Sequence, residues 1–423
     1  VTPYVDFSYF LFLLYPLAAL GVLGMLGLLR RPAVLVVGLA IVCFQYADPL
    51  GIDGAAYAGL GQLAFLAAYA TVSTAVVLAY ARLRTRSHAS QPIFYAAIAL
   101  VLSPLVVVKI APLAHGVFHA SPVGGTHPLA AVPAVVAPTA TGFLDTFGFL
   151  GISYMTLRVI DALIVLHDGV VTGMPRAADV VSYLLFAPTM SAGPIDRFHR
   201  FATALDALPR SRREYLQDIE AGIHRIAQGF LYKFILAYLI YQRALAPMAA
   251  RSGVRAGVAY MYAFSLYLFF DFAGYSAFAI GVGRFFGIQV AENFNAPFVS
   301  RSFREMWDRW HITLSWWMRD HVYMRFMLNA ARRRWFAGNR QRAHHVALLL
   351  TMTLMGCWHG LQPQYVVYGV YQGLMLVAYD VFDRRRGRRP SGDDGPLTTV
   401  VRILVTVNLF CFGLLIFSGW LFA

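Results

Sequence analysis

Two histidines in this sequence are placed to move a proton. His359 lies in MGCWHGLQPQY, at the end of an apolar run, between Trp358 and Gly360. An imidazole titrates near neutral pH, which makes it the usual general base. A lone histidine on an apolar face is more often structural. Here the neighbouring Gly356 and Gly360 are expected to let a ligand approach the backbone closely. His311 lies in WDRWHITLSWW, where helical spacing from 307 is expected to put Trp307, Trp310, His311 and Leu314 on one side. The plainer reading of these tryptophans is an interfacial aromatic belt. The two histidines are 48 residues apart, and spacing alone does not bring them together.

Other side chains point to less chemistry. Asp271 stands in LYLFFDFAGYSAFAIGVG, inside a run apolar enough to span a bilayer. A carboxylate there is costly and counts as a functional candidate; its structural alternative is to pair with an arginine or a backbone amide. Arg158 and Asp161, three apart on one helix face, are expected to neutralise each other. His115, His119 and His127 occupy a Pro/Gly-rich loop without a nearby carboxylate or cysteine, so no metal site is expected. Cys43, Cys357 and Cys411 lie in apolar stretches and form no CxxC pair, so neither a disulfide framework nor a zinc site is expected. Gly281, Gly283 and Gly287 do not fit GxGxxG and are expected in a helix, where they permit close packing. GxSxG and P-loop motifs are absent, so serine hydrolases and ATPases lack their parts.

The elements that must position these residues are membrane elements. The chain has 423 residues, 59% hydrophobic and only 13% charged, with mean hydropathy +0.59. Soluble domains are closer to one half apolar and one quarter charged. Stretches suited to crossing a bilayer are 7–29, 33–46, 55–80, 93–111, 142–166, 222–250, 257–290, 346–360, 365–382 and 398–422, about ten crossings. The start reads as the run-up to a first span, not as a signal peptide. Residues 179–191 are apolar but too short to span. Residues 291–345 carry, up to Met327, four tryptophans (307, 310, 316 and 317) among Arg, Asp, His and Ser. They are too polar for lipid and too apolar for a free loop. A re-entrant, partly buried region lining a chamber is expected, because irregular backbone at membrane depth must be buried in protein or line a cavity.

The net charge is +14, and its distribution suggests a topology. Arg30-Arg31, Arg82 to Arg86, Arg197 to Arg213, Arg332 to Arg342 and Arg384 to Arg389 form basic loops, whereas 47–54 and 112–141 have no Lys or Arg. Placing the basic loops in the cytoplasm gives a consistent threading with the N-terminus outside, against only Arg251 and Arg255. The run RRRGRRPSGDDGP (384–396) reads as a solvated cytoplasmic linker. No repeat of 20–50 residues is present.

The run from Asp271 to Met327, together with MGCWHG around His359, resembles the membrane-bound O-acyltransferases. PTMSAGPIDRFHRF (188–201), GISYMTLRVID (151–161) and WHGLQPQYVVYGVYQGLMLVAYDVF (358–382) extend the resemblance over about 150–382. Residues 1–149 match only in general layout. Ala277 in GYSAFAIG and the stretch RDHVYMRFM are similar to the branch that transfers D-alanine to teichoic acids. The alginate O-acetyltransferase branch has Asp at the first position and an IPLGG-like stretch at the second. His321 departs from the family's usual Tyr.

The resemblance implies an all-α polytopic fold, a ring of about 10–11 transmembrane helices around a central funnel with re-entrant or partly buried helices. It implies one integral domain over 1–423: N-terminal helices and an external loop (1–149), a catalytic core (150–382), an Arg-rich linker (383–397) and a last helix (398–423). It implies His359 and His311 at a constriction, His359 as base and His311 orienting the acceptor or stabilising an oxyanion, with the roles exchangeable. Asp271, Asn293, Trp310, Ser315, Arg319, Asp320 and Trp358 would line or support the chamber. Arg332, Arg333 and Arg334 would receive an acidic D-alanyl carrier protein. It implies no bound cofactor, with the donor thioester carried on the partner's phosphopantetheine. It implies an acceptor hydroxyl, on teichoic acid or a relay partner, on the outer side of a bacterial cytoplasmic membrane. A small membrane peptide or a second transferase is an expected partner, alongside membrane lipids and without nucleic acid. The alternatives are an O-acetyltransferase acting on an extracellular polysaccharide and, from another class, a proton-relaying transporter, against which the lack of repeated halves counts.

Overall fold

The computed structural model describes residues 3–5, 7–47, 59–86, 91–114, 149–385 and 395–422. The histidine-bearing loop at 115–127 and most of the basic linker lie outside these. The described residues form helices joined by short irregular segments, with a single isolated β-bridge and no strand. Six helices are long and apolar enough to cross a membrane: Ser8–Met25, Leu60–Arg86, Gln91–Ile110, Val254–Phe285, Pro363–Arg385 and Pro396–Phe417. The sequence suggested about ten crossings. The difference has local causes: Arg31–Ala47 and the described helix Ile152–His167 are short, 212–249 is interrupted by polar residues and wide turns, and Arg340–His359 opens on RQRAHH. The chain is an all-α polytopic membrane protein.

The fold divides into two compact units. The first comprises the described residues up to 111, residues 149–231 and Gly274–Ala291. Its helices are α1 (Phe7–Met25), α2 (Arg31–Ala47), α3 (Leu60–Arg86), α4 (Gln91–Ala114), α5 (Ile152–His167), α6 (Ala177–Leu184), α7 (Phe198–Asp206) and α8 (Arg212–Phe230). The apolar stretch 179–191 is short, as expected; it holds α6 and a 3-10 turn, Ala187–Thr189. Its irregular backbone is buried and must find partners inside the protein. Arg158 supplies several: its guanidinium donates to the carbonyls of Tyr183, Leu184 and Thr189 and to the Thr189 hydroxyl. Tyr4 donates to the Pro188 carbonyl, and the Ala192 amide donates to the Tyr275 hydroxyl. Asp161 accepts instead from Arg197 at 2.9 Å and from the Phe198 amide at 2.8 Å. The expected mutual neutralisation of Arg158 and Asp161 therefore does not occur. Each is aimed at a different part of the segment 183–198, where unmet carbonyls and a helix start make stronger demands.

The second unit comprises Tyr232–Ala273 and the described residues from Glu292 onward. It begins with a wide π-helical stretch, Leu231–Ala237, then α9 (Tyr238–Ile240), a second π-turn (Tyr241–Leu245) and α10 (Ala246–Ala249). Helix α11 (Val254–Phe285) runs from this unit into the first. It closes with Gly287 in a left-handed conformation (φ 71°), the Ile288 amide bonding Gly283 O at 3.1 Å and the Gly287 amide bonding Arg284 O at 2.9 Å. This is a Schellman closure. Gly287 is therefore a stop signal beyond the helix, not a packing residue within it. Gly281 does serve packing: an added Cβ would lie 2.8 Å from the Gly222 carbonyl of α8.

After α11 the chain breaks into short pieces: α12 (Phe303–Arg309), α13 (Ile312–Met318), a π-turn (Arg319–Tyr323) and α14 (Met324–Arg332). The last three follow one another without interruption. Then come α15 (Arg340–His359), α16 (Pro363–Arg385) and α17 (Pro396–Phe417). Helices α15 and α16 pack through glycine. A Cβ on Gly356 would collide with the Tyr365 carbonyl oxygen and lie 3.0 Å from Gly369 Cα. A Cβ on Gly360 would meet the Tyr365 ring. Gly356 thus serves the close approach of α15 to α16, and Gly360 the seating of the Tyr365 ring.

Candidate active site

The segment carrying His311 is not one continuous helix face. Trp310 is extended (φ −110°, ψ 128°) and bridges Phe294 in antiparallel fashion. His311 follows at φ 45°, ψ 49°. The Asn295 amide donates to Arg309 O at 3.0 Å and the Ile312 amide to Asn293 O at 2.9 Å, so a short two-stranded contact brackets the histidine. The expected helical alignment of Trp307, Trp310, His311 and Leu314 is therefore broken between 309 and 312. A left-handed non-glycine residue costs on the order of 1–3 kcal/mol and persists only where its surroundings over-determine it. Those surroundings are named residues. The buried Asn293 accepts through Oδ1 from the Thr313 hydroxyl at 2.8 Å, and Ser315 donates to the His311 carbonyl at 3.2 Å.

Aromatic rings fix the rest. Trp310 packs against Phe269, Phe294, Phe298 and Phe410, at centroid distances of 5.2–6.3 Å. The His311 ring meets Phe272 edge-on at 4.8 Å and Trp358 at 6.5 Å. Such contacts contribute about 0.5–1.5 kcal/mol each beyond area burial and, more to the point, restrict ring orientation.

His359 is the last residue of α15. Its ring lies 4.8 Å from Trp358 and 5.1 Å from Phe417, with Tyr365 and Tyr368 at 6.5 and 6.4 Å. The two histidines thus share one neighbour, the Trp358 indole. His311, which lies outside the six spans, is held below the ordinary imidazole pKa first by burial and then by the charge of His359. Both histidines therefore belong to one electrostatic site. His311 Nε2 is buried and makes no hydrogen bond to any described residue. The ring is neutral at pH 7, so Nε2 can present either a lone pair or an N–H, according to tautomer.

The remaining candidates divide. Asn293, Trp310, Ser315 and Trp358 surround the histidines. Asp271, one residue from Phe272, pairs with Lys233 of the first π-stretch, both groups fully buried. Its partner is thus a lysine, not the arginine or amide expected. Arg319 and Asp320 are not brought to the histidines. They pair with each other at 2.8 Å on exposed side chains, and Arg319 lies over the Trp316 ring. His321 packs edge-on against Trp317 at 4.9 Å. Arg332, Arg333 and Arg334 are exposed at the end of α14, beside Trp335 and Phe336, whose rings are also exposed. No cluster of metal-ligand type is present among the described residues.

Sequence reasoning missed Lys233, Phe272 and a second polar cluster around Asp380. Lys233 had a signal: it is one of only two lysines in the chain and stands in the apolar run GFLYKFILAYL. A lone cation there calls for a carboxylate.

The arrangement can accept a proton at one imidazole and hold or polarise a group at the other, within an aromatic surround. Residues 58–418 match the family model of the membrane-bound O-acyltransferases. The chain is 39% identical to the teichoic acid D-alanyltransferase of Bacillus subtilis (strain 168) over 277 residues, 65% of this chain and 70% of that one. It is 34% identical to the teichoic acid D-alanyltransferase of Streptococcus thermophilus over 362 residues, 82% of this chain and 80% of that one. With the probable alginate O-acetylase of Azotobacter vinelandii it shares 34% identity over 235 residues, 54% of this chain and 43% of that one. The chain therefore belongs to the membrane-bound O-acyltransferase family, as a multi-pass membrane protein and an O-acyltransferase.

Proposed function

We propose that this protein transfers a D-alanyl group from a carrier-protein phosphopantetheine thioester to a hydroxyl on the other side of a bacterial cytoplasmic membrane. The observation that carries the reading is the meeting of His311 and His359 at Trp358. The likeness to D-alanyltransferases over four fifths of both chains favours D-alanyl over acetyl, since the acetylase likeness covers less than half of that protein.

In this scheme His359 takes the proton of the acceptor hydroxyl as its oxygen attacks the thioester carbonyl. A neutral His311 donates Nε2–H to the developing oxyanion. Collapse breaks the C–S bond, the proton passes from His359 to the leaving thiolate, and an ester and a free thiol result. The two histidine roles can be exchanged without altering this balance. Asn293, Ser315, Trp310 and Trp358 hold the rings. Arg332, Arg333 and Arg334 receive the acidic carrier on the cytoplasmic face given by the positive-inside threading. The acceptor is teichoic acid or a relay partner, such as a small membrane peptide or a second transferase.

The test of acyl identity is competition in proteoliposomes between carrier protein loaded with D-alanine and the same carrier loaded with acetate, read by mass spectrometry of the acceptor. Preferential D-alanyl ester formation supports the proposal; preferential acetylation overturns it in favour of the acetyltransferase reading.

A further inference from the structure

The two helices that end on the reactive histidines are tied together far from them. His311 caps the start of the continuous helical run 312–332, and Tyr323 lies 12 residues along it, about 18 Å away at 1.5 Å per residue. His359 ends α15, and His344 lies 15 residues before it on that helix, about 22 Å away. At the far end the Tyr323 hydroxyl and His344 Nδ1 are 2.7 Å apart. His344 Nε2 faces Asp380 Oδ1 at 3.6 Å, and Asp380 Oδ2 accepts from His345 Nε2 at 3.0 Å and from Arg384 Nε at 2.7 Å. Arg304 of α12, the helix that leads into Trp310 and His311, reaches Asp380 at 3.6 Å. One buried carboxylate on α16 thus gathers groups from α12 and α15, and through His344 the π-turn at Tyr323.

We propose that Asp380, acting through His344 and Tyr323, is a positioning residue that sets the separation of His311 and His359. Asp380 touches no reacting atom. It clamps the far ends of two levers whose near ends carry the proton-transfer groups. The π-turn Arg319–Tyr323 fits this role, because its extra residue offsets the helix register and turns Tyr323 onto α15. The glycine contact at Gly356 and Gly369 holds α15 on α16 closer to His359 and acts as the fulcrum. A rotation of a few degrees over about 20 Å moves a histidine ring by roughly 1 Å, and a displacement of that size can cost on the order of 100-fold in rate. The groups that face the carboxylate are the cations Arg304 and Arg384 and the imidazoles His344 and His345, so replacing it by an amide leaves the two arginines without their anion and the imidazoles without a charged acceptor.

The inference rests on the catalytic reading of the two histidines. The experiment compares Asp380→Asn, Asp380→Glu, Tyr323→Phe and the double variant Asp380→Asn/Tyr323→Phe with wild type and His359→Ala, in detergent and in proteoliposomes. It measures turnover per folded molecule, KM for D-alanyl carrier, the pH–rate profile and the melting temperature. Asp380→Asn and Tyr323→Phe are each expected to lower kcat at least 10-fold with KM within 2-fold, and to displace the pH–rate profile. The double variant is expected to lose less than the product of the singles, and Asp380→Glu to recover most of the rate. If the melting temperature falls while kcat per folded molecule and the pH profile stay as in wild type, the network is only structural and the proposal is overturned. If Asp380→Asn does not fold, Tyr323→Phe alone decides, since it removes one hydroxyl from a half-buried side chain. An active His359→Ala sinks the catalytic reading itself. A dead His359→Ala beside fully active clamp variants sinks the clamp alone.

Discussion

The rings of His311 and Trp358 lie 6.5 Å apart, although the two residues are 47 positions apart in the chain. Trp358 is covalently next to His359, so this contact makes one site of two distant motifs. Helix α15, its glycine packing on α16 and the bracketed turn at His311 all serve that juxtaposition.

The buried pair of Lys233 and Asp271 gives a prediction about stability. Removing one partner of such a pair strands a charge and costs about 3–5 kcal/mol, whereas replacing both by apolar groups of similar volume is often neutral. Lys233→Met is expected to lower the melting temperature sharply, and Lys233→Met/Asp271→Leu to recover most of the loss. Thermal unfolding in detergent measures this; equal losses in the single and double variants would contradict it.

Glycine packing gives a second. Gly356→Ala drives a methyl group into the Tyr365 carbonyl and the Gly369 backbone, which have no side-chain freedom with which to yield. Overpacking of this kind costs about 1–3 kcal/mol. Because α15 carries His359, activity is expected to fall with stability. Gly21→Ala is the control: a Cβ at Gly21 in α1 meets nothing within 4 Å. A loss at Gly21 as large as at Gly356 would refute the packing argument.

The reach of the sequence was uneven, for physical reasons. Membrane helices were visible because lipid demands long apolar runs, and α11, α16 and α17 lie close to where hydropathy put them. The site histidines were visible as polar groups in apolar surroundings. The geometry of His311 was not, because Trp310 and His311 leave the helix to pair with Asn293 and Phe294, and that bridge spans residues whose own spacing is silent. Asn293 was singled out in the sequence, but its bond to Thr313 depends on the same bridge. Arg158 and Asp161 have helix-pair spacing, yet buried carbonyls outbid the neighbouring charge. The clamp at Asp380 depends on a π-turn, which leaves no composition signature.

The pH dependence of stability follows from two buried imidazoles. His311 and His344 are both held below the ordinary value of 6.5, chiefly by burial. As pH falls through 6.5 the unfolded chain binds protons before the folded one does, so the fold loses stability. Above pH 7 both states are neutral at these sites and the contribution is constant. The melting temperature is expected to be level between pH 7 and 8 for these groups and to decline below about pH 6.5. His344→Gln is expected to make that decline shallower. A rise in melting temperature on acidification would be inconsistent with buried neutral imidazoles.

The exposed arginines at the end of α14 give a prediction about encounter. Replacing Arg332, Arg333 and Arg334 together by alanine is expected to raise KM for an acidic carrier several-fold at low salt, with little change in kcat. The gap between variant and wild type is expected to close at high ionic strength, where the Debye length shrinks to about 3 Å at 1 M. A salt dependence identical to wild type would remove these residues from the docking surface.

The central claim is that the histidines brought together at Trp358 perform the acyl transfer. Its most direct test is transfer of radiolabelled D-alanine from loaded carrier protein by proteoliposomes holding wild type, His359→Ala or His311→Ala, each shown to be folded. The account requires His359→Ala to lose at least 100-fold in rate, with His311→Ala also strongly impaired. Transfer by folded His359→Ala at the wild-type rate would contradict it.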